Sequence, residues 1–272
     1  MSGIEILNAL PVWTIALLVV GGCICFSVGL QLMARWRCGV ELLAANQEVA
    51  GFKYAVVGVA YAVLLAFVVI DVWSEFERTG RAVHAEAERM FNLHRVSFNF
   101  PDESGQKIRQ ALFAYAIGVR DKEWPLMEIG FRGSPAVAEA QARLSRTIGQ
   151  TTPERLGLLP SVMHAINLMQ QVSDYRLERL SDVGGQVKPV IWGVLLFGVI
   201  ITLAYPAFFA TKYVTAQILM TAGLAAIIGS TLFLTIVLNY PFSGPERLTS
   251  KPIDDVIQRM LTNDRDELDL VE

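Results

Sequence analysis

Four long stretches of this chain carry no charged side chain, and that feature limits its fold more than any other. Residues 6–34 and 54–70 are charge-free, and residues 189–211 and 213–245 are interrupted only by Lys212. A bilayer's hydrocarbon layer is about 30 Å thick and a helix rises about 1.5 Å per residue, so roughly 20 mainly apolar residues span it. The pattern predicts four transmembrane helices over residues 6–34, 52–73, 189–211 and 214–239. The second draws on residues flanking its 17-residue charge-free run to reach both interfaces. Only Glu5 and no basic residue precedes the first run, which argues for a retained span over a cleaved leader.

Composition agrees with a lipid environment. Hydrophobic residues make up 53% of the chain and charged residues 18%, against about 45–50% and about 25% in soluble domains. Lys and Arg number 23 and Asp and Glu 26, so no basic surplus exists to neutralise phosphates, and nucleic acid is excluded as a partner. Cys23 and Cys25 lie in an apolar run, Cys38 stands alone, and His84, His94 and His164 lack ligand spacing. No disulfide framework, metal site or cofactor is expected. Nucleophile-elbow, phosphate-loop and dinucleotide motifs are missing, so the chain is not expected to be an enzyme.

Between the second and third runs, residues 71–188 hold 15 basic and 15 acidic side chains, the polarity of a water-facing domain. Its apolar residues recur at helical spacing. One stripe is Phe76, Val83, Ala87, Met90 and His94; a second is Ile108, Leu112, Tyr115 and Val119. Val137, Ala140, Leu144 and Ile148 form a third, and Val162, Ile166, Met169, Leu180 and Val183 a fourth. Breaks are expected at Pro101, Trp124-Pro125, Gly133-Ser134-Pro135, Thr152-Pro153 and Gly184-Gly185. Glu86 and Glu88 read as a solvated face, and His94 as a satisfied core histidine. The predicted fold class is therefore an all-α integral membrane protein: four transmembrane helices, a helical soluble domain over 74–188 between spans two and three, and a polar tail over 246–272. That tail has eight acidic and four basic residues, with an amphipathic turn or two near 253–261.

The second span offers the clearest functional pattern. At 100° per residue, Gly51, Ala55, Gly58, Ala62 and Ala66 share a face suited to close helix packing. The opposite face gathers Lys53, Ala60, Leu64, Phe67, Asp71, Glu75 and Arg78. A stripe apolar at its centre and ionisable at both ends suits protein or water better than lipid. If copies surround an axis, Ala60, Leu64 and Phe67 become a neck or gate, and Lys53, Asp71, Glu75 and Arg78 become charged mouths. The fourth span repeats a polar stripe at Gln217, Thr221, Ile228, Thr231, Thr235 and Asn239, read first as packing against neighbouring helices or its own carbonyls. Pro206 is expected to kink the third span.

Two stretches carry a resemblance. Asn46-Gln47-Glu48-Val49-Ala50-Gly51-Phe52, followed by Gly58-Val59-Ala60-Tyr61-Ala62-Val63-Leu64-Leu65-Ala66-Phe67 and Trp73, resembles the N-terminal signature of the bestrophin-like domain family. Leu238-Asn239-Tyr240-Pro241-Phe242-Ser243-Gly244-Pro245 resembles its C-terminal signature. Glu123-Trp124-Pro125 and Arg179-Leu180 ahead of Pro189-Val190-Ile191-Trp192 also fit. The motif residues singled out are Asn46, Glu48, Gly51, Phe52, Pro241, Phe242 and Gly244. Asn239 departs from the pattern, which is acidic there.

The resemblance implies a ring of identical subunits, similar to the true bestrophins, which are anion channels whose second span supplies an apolar neck. The expected function is a homo-oligomeric, anion-conducting channel in a bacterial inner membrane, multi-pass, with a cytoplasmic helical domain and small ions and lipid as partners. Two alternatives use the same architecture: a membrane-anchored helical sensor or scaffold without transport, and a proton-coupled ring of the flagellar-stator type.

Overall fold

The computed structural model describes residues 3–45, 47–151 and 158–269, and every regular element among them is helical. Contacts divide the chain into two units. Unit 1 comprises Met1–Phe76, Gly185–Asn239 and Gly244–Glu246; unit 2 comprises Glu77–Gly184, Tyr240–Ser243 and Arg247–Glu272.

Unit 1 holds the apolar runs. A short helix, α1 (Gly3–Ala9), precedes α2 (Val12–Cys38). The first span therefore starts later than residue 6, because Pro11 has an extended backbone and no N–H to extend a helix from. It also ends later than residue 34, running on through Arg35 and Arg37. After α3 (Val40–Ala45), the helix α4 runs unbroken over Gln47–Ser97, 51 residues. No helix break marks the expected boundary at residues 73–74: no proline interrupts 47–97, the helix stops only ahead of Pro101, and the division between the two units falls within it, at Phe76/Glu77. α9 (Pro189–Ala204) gives way to a 3₁₀ turn, Tyr205–Phe208, so Pro206 ends the α-helix where a kink was expected. α10 covers Val214–Leu238. α2, α10, the first part of α4, and α9 together with the 3₁₀ turn as far as Phe208 (20 residues) are each long and apolar enough to cross a membrane.

Lipid is as apolar as leucine, so these helices are held by close packing and internal hydrogen bonds more than by the hydrophobic effect. α2 lies against α10, where a Cβ on Gly229 would approach the Val20 Cα to 3.0 Å. Only a glycine leaves room for that approach. The Tyr61 ring lies over Gly198 of α9, and its hydroxyl donates to the Leu195 carbonyl at 3.4 Å. The Ser27 hydroxyl donates to the Leu203 carbonyl at 2.7 Å, and the Arg35 guanidinium to the Thr211 carbonyl at 2.7 Å.

Unit 2 joins the later part of α4 to α5 (Asp102–Gly118), a π-helical turn (Val119–Glu123), α6 (Trp124–Glu128), α7 (Pro135–Gly149) and α8 (Leu159–Ser181). All four apolar stripes face its core: Met90, Ile108, Leu112, Tyr115, Val119, Val137 and Leu144 are fully buried. Ala140, Ile166 and Leu180 are partly buried at its margin. Helices stop at Pro101, before Pro135 and at Gly184 as expected, whereas the chain stays helical through Trp124-Pro125, the π turn absorbing the missing donor. The Thr152-Pro153 break lies outside the described residues.

The tail is the largest departure. α11 (Lys251–Asp269) replaces the expected polar segment, and Ile253, Val256, Ile257 and Met260 are buried in the core of unit 2. Their 3, 1, 3 spacing is an amphipathic helix whose acidic residues fill only the other faces.

Candidate functional site

On α4, Tyr61, Leu65 and Val72 are buried within the chain. Ala60, Leu64, Phe67 and Asp71 lie about a quarter turn away at 100° per residue and are exposed. Leu64 is 36% and Phe67 69% accessible. The small-residue face lies about a quarter turn to the other side. It is not packed against a helix of the same protomer: Gly58, Ala62 and Ala66 edge an apolar groove of about 530 Å³ completed by Leu224, Ile227 and Thr231.

The ionisable ends of the stripe have different fates. Lys53 and Asp71 are exposed and Glu75 is half-buried. Arg78, in unit 2, pairs with Glu178 at 3.3 Å and approaches Asp182 at 3.8 Å, while Asp182 also accepts the Thr79 hydroxyl at 2.6 Å. Arg78 is thus engaged by two carboxylates of its own unit.

Of the N-terminal signature, Asn46 lies outside the described residues, Glu48 and Phe52 are exposed, and a Cβ on Gly51 would sit 3.8 Å from the Phe209 ring. The C-terminal signature is built in. Pro241 is buried, and Phe242 is buried with its ring edge-on to Trp124 at 5.6 Å. Gly244 has φ +89°, a conformation that side chains resist, and its N–H donates to Asn8 Oδ1 at 2.7 Å. Asn239 closes α10, its Oδ1 accepting the N–H groups of Gln186 at 3.1 Å and Val187 at 2.8 Å. An acceptor oxygen is what this turn requires, and asparagine supplies it without charge.

Glu123, Trp124 and Arg179, three further motif residues, meet in unit 2. The Arg179 guanidinium, fully buried, donates to both Glu86 oxygens at 2.6 and 3.1 Å and to Glu123 at 2.9 Å. It lies 5.6 Å from the Trp124 ring centre. Glu123 also receives the Arg176 guanidinium at 2.5 and 3.1 Å and the Ser134 N–H at 3.1 Å, and the Tyr115 hydroxyl donates to Glu86 at 2.7 Å. Two carboxylates and two guanidiniums balance, which makes burial of all four groups tolerable. Burial pushes the Glu123 carboxyl up, but the Arg176 hydrogen bonds and the Arg179 charge outweigh it and leave it below the ordinary range. Burial first, and then the Glu86 charge, raise the Tyr115 hydroxyl well above its usual value.

Glu86 is therefore no solvated residue, unlike exposed Glu88, and sequence reasoning missed it. The signal was present: Glu86 falls three residues after Val83 and four before Met90, on the buried stripe itself. On α10, Thr235 donates to the Thr231 carbonyl and Thr231 to that of Ile227, at 3.0 and 2.9 Å. Gln217 donates to the Phe209 carbonyl at 2.6 Å. That stripe serves packing and its own backbone.

Comparison with known proteins bears on the whole arrangement. Residues 21–253 match the Bestrophin-like domain. A solved bacterial bestrophin homolog from Klebsiella pneumoniae, carrying one substitution, superposes with TM-score 0.69 at 14% identity over 91% of this chain and 97% of that one. A second variant of it gives 0.65 at 14% over 90% and 98%. No curated protein matches significantly by sequence.

Proposed function

Because the chain belongs to the bestrophin-like domain family, we propose that it is a homo-oligomeric ion channel in which each copy turns Ala60, Leu64 and Phe67 toward a shared axis. The observation that carries this reading is the exposed stripe on α4. Within one protomer Leu64, Phe67 and Asp71 are uncovered although the adjacent quarter of the helix is packed. An aspartate continuing an apolar stripe is poorly suited to lipid and well suited to a water-filled mouth. A ring of Leu64 and Phe67 side chains forms an apolar constriction that gates by excluding water. Lys53 rings one mouth and Asp71 and Glu75 the other.

The resemblance favours anions, and Lys53 favours them electrostatically. Asp71 opposes them, and the arginines able to offset it are committed elsewhere: Arg78 to Glu178, Arg176 to Glu123, and Arg179 to Glu86 and Glu123. Asp71→Asn is accordingly expected to move the reversal potential under a chloride gradient toward the chloride equilibrium value. The orientation follows the positive-inside tendency: Arg78, Arg81, Arg89, Arg176, Arg179 and Lys188, with four tail residues, flank one side, against Arg35, Arg37, Lys53 and Lys212 on the other. Unit 2 is then cytoplasmic in an inner membrane. Exposed Cys38 is expected to label with an impermeant maleimide from outside spheroplasts.

Purified protein in planar bilayers tests the channel directly. Currents that rise on Phe67→Ala, together with a native mass of a closed ring, support it. A silent bilayer with a monomeric mass removes the axis and leaves the anchored-scaffold reading.

A further inference from the structure

Unit 2 holds a second feature that its ion network does not use. The later part of α4 and the first half of α8 flank a cavity of about 620 Å³, lined by Arg89, Asn92 and Arg95 from α4, by Asn99 in the turn that follows it, and by His164 and Gln171 from α8. Its volume falls within the range of about 300–1,000 Å³ usual for small-molecule sites. The chemistry of the lining is one-sided. Two guanidiniums, an imidazole and three amides face it, and no carboxylate does. Many arginines of unit 2 are partnered: Arg78, Arg81, Arg109, Arg120, Arg143, Arg176, Arg179, Arg247 and Arg259 each lie within 4.0 Å of a described Asp or Glu. Arg89 and Arg95, like Arg132, Arg146 and Arg265, have no described carboxylate that close, and of these only Arg89 and Arg95 line this cavity. The Arg89 Nε is, moreover, shielded from solvent with no hydrogen-bond partner. A shielded guanidinium N–H without an acceptor is costly, and the missing partner is an acceptor carrying negative charge.

We propose that this cavity is a binding site for a small, multiply charged oxyanion of the phosphate class. Guanidinium forks match the paired oxygens of a phosphate, and Asn, Gln and His add neutral donors that reach the remaining oxygens. Asn92 and Val96 follow Arg89 at i+3 and i+7 on one face of α4, Arg95 lies toward the neighbouring face, and Leu168 and Gln171 follow His164 at i+4 and i+7 on one face of α8. The site stands apart from the α4 stripe and does not depend on whether the spans conduct.

Isothermal titration of the detergent-purified full-length protein with inorganic pyrophosphate, at low and at physiological salt, is the test. Saturable 1:1 binding per chain is expected, weakening at least about tenfold in Arg89→Gln and in Arg95→Gln. Gln171→Glu, which places a carboxylate in the cavity, is expected to remove it even if either arginine variant fails to fold. A parallel arm with anionic-lipid nanodiscs and no pyrophosphate asks whether the phosphate comes from a headgroup. Binding lost in the variants in that arm alone assigns the site to lipid phosphate. Equal pyrophosphate affinity in the wild type and Gln171→Glu, or no binding in either arm, overturns the proposal. So does a drop in native mass in the arginine variants, which would mean that a neighbouring copy's carboxylate fills the cavity.

Discussion

The two parts of α4 put one continuous helix to opposite uses. Up to residue 76 it buries a narrow strip, Tyr61, Leu65 and Val72, and leaves Val56, Val59, Val63, Phe67 and Ile70 at least half exposed. Beyond residue 77 it buries Ala82, Val83, Ala87, Met90 and Leu93, and a carboxylate, Glu86, among them. Nothing in the backbone changes at that point; the surroundings do. In unit 2 water drives apolar faces together, so a buried charge must bring its partners along. In unit 1 exposed leucine and valine cost nothing against lipid.

The sharpest way to break that contrast is Arg179→Ala. Removing the guanidinium leaves Glu86 and Glu123 buried with Arg176 alone to balance them, and losses on this pattern run at about 3–5 kcal/mol. Unfolding of unit 2 should move by that amount while the membrane-spanning helices keep their circular dichroism. A shift below about 1 kcal/mol would mean that the network is wetter than its burial implies.

A matched pair of phenylalanines comes next. Phe242 is 1% accessible and packed on Trp124, whereas Phe67 is 69% accessible. Phe242→Ala is expected to lower stability by about 3 kcal/mol, chiefly through the cavity it opens. Phe67→Ala should lower it by less than about 0.5 kcal/mol and register instead in conductance. Equal losses of stability in the two variants would show that Phe67 is packed, and would count against the neck proposed on this face.

How much of this was legible in the sequence follows from the same division. Charge-free runs gave the four spans because lipid imposes a length, and helical periodicity gave the core of unit 2 because water imposes a face. Ends were harder. Pro11 delayed α2, and the absence of proline let α4 run past Asp71, where charge counting alone stopped it. The amphipathic stretch near 253–261 was visible, but the acidic surplus around it concealed that α11 extends over Lys251–Asp269 and enters the core. In the candidate site, Leu64 and Phe67 are exposed, but an axis requires further copies, and no reading of a single chain supplies them. The convergence of Glu86, Glu123 and Arg179 was unreadable for another reason: the three lie up to 93 residues apart, and only tertiary packing brings them together.

The finest probe of the contrast is pH, because unit 2 buries a group that water would charge. His94 is buried, its Nε2 is 3.0 Å from Asp264 Oδ1, and its Nδ1 has no hydrogen-bond partner. Burial lowers the imidazole below its ordinary 6.5; Asp264 pulls it back up, and Arg109 adds to the lowering. A base lowered in the folded state stays neutral there while the unfolded chain takes up a proton. Its contribution is therefore complete above about pH 6.5 and declines as pH falls from there toward the folded value. Glu123, lowered in its turn, acts in a separate window: its contribution is present above its ordinary 4.5 and is lost as pH falls further. The unfolding midpoint of unit 2 should then decline in two stages on acidification, and His94→Gln should flatten the first while leaving the second. Parallel midpoint curves for wild type and variant between pH 7 and 5 would mean that His94 accepts its proton equally well within the fold, with Asp264 just offsetting burial.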